Sequence, residues 1–389
     1  MSHAIEPFSL YIHIPYCVSK CPYCDFNSHV VPVIPETQYT QALLREMEHY
    51  GRLNDWYNRP LRSIFFGGGT PSTFVPASIA RILGSAARLF AIEPNCEITL
   101  EANPGTVDQG NFAGYREAGV NRISIGVQSF NPGVLKFLGR AHSAGDARRA
   151  LEQVRNAGFE NFSFDLIYAN PGQSLKELDA DLSAALEFQS PHLSAYNLTF
   201  EEGTPFHHDY RAGKIHSLSE DEEIAMAELI ETRLGTAGLK RYEISNYAKP
   251  GWHSCHNVAY WRGEDYMGIG AGAHSFKKSH STGASGRRWA NEKNPGRYMN
   301  QIEASGIAVV DREDIEPVKA AGEFMFLGLR MTEGISQDSF HTRFGQSPLE
   351  YFPRIEDWLD GNLMEESNGS LRLTAKGLLV ANSIFVQFM

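Results

Sequence analysis

Three cysteines fall within eight residues near the start of the chain, Cys17-Val-Ser-Lys-Cys21-Pro-Tyr-Cys24, spaced by three and then two residues. Soft thiolates at that spacing on one loop can hold a single metal centre. A four-iron cluster ordinarily takes four cysteines, so a loop that offers three leaves one iron open to an outside ligand. Zinc completed by a distant His or Cys is the competing reading, although structural zinc sites prefer paired CxxC motifs. Cys96 and Cys255 stand apart, and five thiols so arranged form a metal pattern, not a disulfide framework.

Such a loop needs a rigid support. A β-rich run, Ser9 to Ile14, leads directly into it. The rhythm of β-rich run, glycine or proline turn and helical stretch then recurs through the first two thirds of the chain, as in a parallel βα sheet. Further strand candidates are Ser63 to Phe66, Glu97 to Glu101, Arg122 to Val127, Phe162 to Ile167 and His192 to Asn197. Helices are expected over Thr37 to Tyr50, Pro76 to Phe90, Ala144 to Ala157 and Leu175 to Phe188. Six such units predict an α/β fold, either a partial (β/α)6 TIM-like barrel or a doubly wound sheet. In both, ligands gather at the C-terminal strand ends.

The expected division is a barrel-like core over 1–248, a loop-rich extension over 249–297 and a smaller, mainly helical module over 298–389. The extension is dense in Gly, His, Asn and aromatics and reads as loops and short strands carrying a site. The last module runs from helices to two short strand candidates and a final helix, Thr374 to Gln387, an order similar to a winged helix.

The formal net charge is -11 and the hydrophobic content 42%, enough for a sizeable core but without the basic footprint of a nucleic-acid binder. Membrane contact is expected to be peripheral at most. No apolar stretch approaches the ~20 residues of a membrane span, and Met1 to Phe8 lacks the pattern of a signal peptide. The expectation is a cytoplasmic protein.

The CxxxCxxC spacing, with Tyr23 before the last cysteine and a strand leading in, resembles the radical S-adenosylmethionine superfamily. There, the resemblance implies, the amino and carboxylate groups of the cofactor's methionine part occupy the open iron of a 4Fe-4S cluster. Companion motifs match as well. Gly67-Gly68-Gly69-Thr70-Pro71 resembles the turn that lets backbone approach the methionine end closely. Glu101, in Glu-Ala-Asn-Pro, resembles the acid that receives the amino group. Gln128, Asp165, Tyr11 and Arg140 sit where related porphyrin enzymes touch the cofactor. Taken singly, Glu101 and Asp165 could equally cap helices, Gln128 satisfy backbone and Arg140 pair with a surface acid.

Tyr11-Ile-His-Ile-Pro15, Phe-Gly-Gly-Gly-Thr-Pro-Ser72, Ser-Ile-Gly-Val-Gln-Ser-Phe130 and Leu-Gly-Arg-Ala-His142 narrow the likeness, over nearly the whole chain, to the branch of oxygen-independent coproporphyrinogen III oxidase and the HemW-type heme chaperones. Two departures point away from the oxidase: Phe26 stands where its motif has a further cysteine, and the first strand begins within ten residues. His256-Asn257-Val258-Ala259-Tyr260-Trp261 matches the HNxxYW motif of the chaperones, in which the histidine is tied to heme. Imidazole is a common axial ligand of heme iron. A loop histidine bonded to backbone, with Tyr260 and Trp261 packing the core, is the bland alternative.

His253 and Cys255 are candidates for a second ligand or an attachment. The resemblance places His274 near the cofactor pocket, with packing as the other reading. His13 reads as sheet structure and Cys96 as a buried small residue.

The resemblance thus implies a 4Fe-4S cluster, S-adenosylmethionine and heme, with heme passed to a respiratory acceptor and the cluster tied to dimerisation or release. Coproporphyrinogen decarboxylation and radical methyl transfer are the enzymatic rivals. A zinc-stabilised interaction protein is the rival from another class.

Overall fold

A computed structural model describes residues 6–107, 109–279 and 285–389. Six strands run parallel in chain order: β1 (Phe8–Ile14), β2 (Pro60–Gly68), β3 (Ala91–Ala102), β4 (Arg122–Gln128), β5 (Phe162–Tyr168) and β6 (His192–Asn197). Helices Glu36–Gly51, Pro76–Leu89, Gln109–Ala118, Ala144–Asn156 and Leu175–Leu186 return between them. All six expected strands form, most reaching a residue or more past the expected bounds.

Side chains alternate across a strand, and here the two faces differ in chemistry. Phe8, Leu10, Ile12 and Ile14 of β1, with Ile64, Phe66, Leu100, Ile123 and Phe164, form the main core. Ser9, Ser63, Glu97, Arg122 and Ser163 lie on the other face, where they are buried yet bonded to one another: Ser63 donates to Ser9 at 2.8 Å, Arg122 donates to Ser163 at 2.9 Å and lies 3.9 Å from Glu97. A buried polar face is costly unless its members find partners.

The sheet continues at both ends. Beyond β6 lie β8 (Asn246–Ala248) and β7 (Lys240–Arg241), both antiparallel. On the other side of β1 come β9 (Tyr266–Ile269), parallel to it, and then the antiparallel β10 (His274–Lys278), β11 (Gly286–Asn291) and β12 (Val309–Ile315). The stretch expected to be loops and short strands therefore extends the main sheet. Its histidine motif is a helix, Cys255–Trp261, started by Ser254, whose side chain accepts from the Asn257 N–H.

In the C-terminal part, helices Pro317–Gly328, Gln337–Phe344 and Ile355–Asp360 pack around Met325, Phe340, Trp358 and Phe385. A small sheet of β13 (Ile335–Ser336), β15 (Ser370–Leu373) and β14 (Met364–Ser367) completes it. The single final helix expected over Thr374 to Gln387 is two short ones, Ala375–Leu379 and Ala381–Phe385, broken at Val380. Among the described residues no helix is long and apolar enough to cross a membrane.

β9 and β10 meet at a contact only glycine allows. A Cβ on Gly268 would sit 2.0 Å from the His274 carbonyl oxygen. Gly268→Ala should cost about 1–3 kcal/mol of stability, as overpacking in a sheet interior does. Urea unfolding of the full chain would measure it, and an unchanged midpoint would show that β9 and β10 part freely.

Candidate functional site

The cysteine loop hangs on the end of β1 and is clamped by the turn after β2. Gly69 N–H donates to Ile14 O at 2.9 Å and Thr70 N–H to Tyr16 O at 2.8 Å, while His29 N–H donates back to Pro15 O at 2.7 Å and Cys17 N–H to His29 O at 3.0 Å. A Cβ on Gly69 would lie 2.7 Å from Tyr16 O and 2.8 Å from Tyr16 N, so the turn can approach the loop only as glycine. Cys24 N–H donates to Cys21 O at 3.1 Å and closes the last turn of the motif. Cys21 is buried, Cys17 and Cys24 half-buried.

All three cysteines line one cavity of about 140 Å³. Tyr23, Gly68, Gly69 and Thr70 line it too, as do Glu101 and Gln128 near the ends of β3 and β4, Arg140 from the connection between β4 and β5, and Asp165 from the middle of β5. Residues scattered over 149 positions, from Cys17 to Asp165, are thus brought together. Tyr11 lines the neighbouring cavity instead.

One polar chain ties the thiols to the sheet. Thr70 Oγ1 donates to Cys17 Sγ at 3.4 Å, and Asn103 Nδ2 donates to Thr70 Oγ1 at 2.9 Å. The Arg140 guanidinium donates to Asn103 Oδ1, to Gly126 O at 2.8 Å, to Cys21 Sγ at 3.4 Å and to Tyr23 OH at 3.3 Å. Asn103 was not singled out from the sequence, although its place two residues after Glu101 was the available signal. Burial raises the Cys17 and Cys24 thiols above their ordinary range, and hydrogen bonds from Thr70 and Ser28 to Cys17, and from the Phe26 backbone and Ser28 to Cys24, pull back.

The acids are held under tension. Burial, and then the charge of Asp165, push the Glu101 carboxyl up to about 8; the Gly68 N–H, donating at 3.2 Å, and Arg122 oppose this. Asp165 is pushed up to about 6 by burial against a Ser194 hydrogen bond and the charges of Arg122 and Arg140. Gln128 ends β4 in a left-handed conformation, φ 69°, with its Oε1 buried and unpartnered. A strained residue holding an orphaned acceptor is a feature that binding sites retain.

Beside this lies a larger cavity of about 610 Å³, sharing Phe26, Gly68 and Glu101 with the first. Tyr260, Trp261, Tyr266, Phe276 and Phe324 give it aromatic walls, and Arg288, Lys293 and Arg343 give it positive charge. These cations were not anticipated from the sequence, because they reach the cavity from β11, its following turn and the C-terminal part.

His256 does not line the cavity. It is 1% exposed, behind Tyr260, with Phe65 against its ring at 5.0 Å. Because Ser63 spends its proton on Ser9, the His256 Nδ1–H donates to Ser63 Oγ at 2.9 Å, and Nε2 accepts from Tyr260 OH at 3.1 Å. Burial and then Arg122 lower its pKa to about 3, so it is neutral. His253 stacks on Tyr242 at 4.2 Å and Cys255 sits beside Glu97, both away from the cavity. His13 does line it, but Nε2–H donates to Asn27 O at 2.9 Å and Nδ1 accepts from Tyr11 OH at 3.0 Å. His274, exposed at the start of β10, lines it as well. Cys96 is buried in the core.

Residues 11–185 match the model of the radical SAM superfamily, and residues 316–380 that of the HemN C-terminal domain. The structure superposes on coproporphyrinogen III oxidase (HemN) of Escherichia coli with a TM-score of 0.82 at 23% identity, covering 98% of this chain and 90% of that one. The fold is that of a radical SAM protein, an α/β sheet with a smaller helical C-terminal domain.

Heme chaperone HemW of Haemophilus influenzae is 39% identical over 99% of this chain and 98% of its own length. That of Bacillus subtilis is 34% identical over 98% and 99%. The chain belongs to the HemW heme chaperone family.

The raised acids set a pH dependence. Glu101 binds its proton more tightly folded than unfolded, so its contribution to stability is complete below the ordinary carboxylate range and is lost as pH rises through about 8. Glu101→Gln should flatten the decline, gaining on the wild type between about pH 5 and about pH 8.5. Urea unfolding of the ligand-free chain at the two pH values checks this; parallel curves would mean that Glu101 is not held protonated.

Proposed function

We propose that the chain is a heme carrier that holds a 4Fe-4S cluster on Cys17, Cys21 and Cys24 beside S-adenosylmethionine and passes heme to a respiratory acceptor. The names of its relatives point to heme. The observation that carries the reading is the wall of Phe26, Gly68 and Glu101 common to the two cavities, which puts a macrocycle-sized aromatic chamber against the thiol site. Cavities of roughly 300–1,000 Å³ enclose ligands of this scale.

The residues fit the groups. Three thiols on one loop suit a cluster with one open iron. The Gln128 Oε1, buried without a partner, awaits a donor such as a ribose hydroxyl. Glu101 would receive the ammonium of the methionine part, whose charge would return the acid to its carboxylate form. Asp165 would accept from the ribose, and Thr70 and the Gly68–Gly69 backbone would border the methionine end. Arg140 and Tyr23 brace the loop beside Cys21. When bound, a reduced cluster can supply one electron to the sulfonium. Phe26, 64% exposed where the oxidase motif continues with cysteine, contributes an apolar cover to both chambers.

Anaerobic absorbance titration of the cluster-reconstituted chain with hemin tests the carrier reading. Saturation near one heme per chain is expected. No saturable binding, or consumption of coproporphyrinogen with release of carbon dioxide, would overturn it. Cys21→Ala should abolish the iron-sulfur absorbance and keep the circular dichroism of the fold; zinc without iron or sulfide in the wild type would contradict the cluster.

A further inference from the structure

We infer that His274, not the motif histidine His256, supplies the axial imidazole to heme iron in the larger cavity, with Arg288, Lys293 and Arg343 facing the two propionates. The inference rests on the heme-carrier reading of this cavity. It follows from asking which imidazole can offer a lone pair to an iron inside it.

A neutral imidazole has one such pair. In His256 it lies on Nε2 and is taken by Tyr260 OH, and the ring is sealed behind Tyr260 and Phe65. Ligation there would require Tyr260 to leave. In His13 the pair lies on Nδ1 and is taken by Tyr11 OH. The rings of His253 and His256 do not reach the cavity wall. His274 does, and it is exposed.

Its anchor is rigid. The residue opens β10 opposite Ala290 of β11, and its carbonyl is pressed against Gly268 of β9. Its ring edge is open, but the cavity wall partly desolvates it, and this together with the nearby charges of Lys293 and Arg288 lowers its pKa below the ordinary imidazole value.

The surrounding charge suits a macrocycle bearing two carboxylates. Arg288 is ion-paired with Glu323, 3.6 Å from Glu313, and can share its remaining donors. Lys293 forms no ion pair among the described residues. Arg343 lies over the rings of Phe324 and Phe344 at 5.6 and 5.2 Å. Tyr260, Tyr266, Phe276 and Phe324 leave apolar surface for the ring faces.

The test is a hemin titration of the full, cluster-reconstituted chain, comparing wild type with His274→Ala and His256→Asn. Asparagine keeps a polar partner for Ser63 and Tyr260, and circular dichroism verifies the fold of each variant. His274→Ala should weaken hemin binding at least about tenfold and move the Soret band, and free imidazole should restore the wild-type spectrum. His256→Asn should keep the wild-type spectrum. A folded His274→Ala with wild-type spectrum and affinity, or a folded His256→Asn that loses the spectrum, would overturn the assignment. Absence of hemin binding by the wild type would instead remove the carrier reading, and the assignment with it.

Discussion

The backbone after β2 lies against the backbone after β1, and the thiol site depends on that contact. Gly69 and Thr70 donate to Ile14 and Tyr16 across a gap that no side chain could enter. The loop bearing Cys17, Cys21 and Cys24 is thereby fixed to two neighbouring strands, not left to its own conformational freedom, whose loss would cost about 1–2 kcal/mol per residue. The same turn presents Gly68 N–H to Glu101 and Thr70 Oγ1 to Cys17. One close approach therefore sets thiols, acid and turn in a common frame.

Around that frame the sheet keeps a polar inner face that is hydrogen-bonded for the most part below its rim, although Thr99 Oγ1 and Arg122 Nε have no hydrogen-bond partner. Ser9, Ser63 and His256 close a hydrogen-bonded series that ends on Tyr260, and Arg122 is shared between Ser163 and Glu97. Nearer the C-terminal strand ends the balance changes: Glu101 and Asp165 repel each other, and Gln128 Oε1 has no partner. Such groups gain most from a ligand that brings positive charge and donors, which is how a binding site differs electrostatically from a core.

Much of this was legible in the chain. β1 to β6 are apolar runs punctuated by glycine and proline, and the thiol loop and its companions were placed because each sits near the end of such a run. β10 to β12 are not placed individually by the sequence: β10 and β11 fall in the stretch that reads as loops and short strands, β12 falls in the C-terminal module, and all three are rich in charge (Lys277, Lys278, Arg287, Arg288, Asp311, Arg312, Glu313 and Asp314). Antiparallel strands with one face to solvent tolerate such residues. Their logic appears only once paired, when Arg287 opposes Asp314 and Arg288 opposes Glu313, with ion pairs at 2.6 and 3.6 Å. His256 shows the opposite case: its motif is plain, but its environment depends on Ser63 and Ser9, 193 and 247 residues away in sequence, which no local pattern announces.

Cys17, Cys21 and Cys24 share a cavity with Glu101 and Gln128, so a 4Fe-4S cluster held by the three thiols would leave one iron for S-adenosylmethionine. Electron paramagnetic resonance of the reduced, cluster-reconstituted chain, recorded with and without S-adenosylmethionine, tests it most directly. The cofactor is expected to change the g-values of the cluster signal, as a ligand on the open iron would. An unchanged spectrum under saturating cofactor would contradict it.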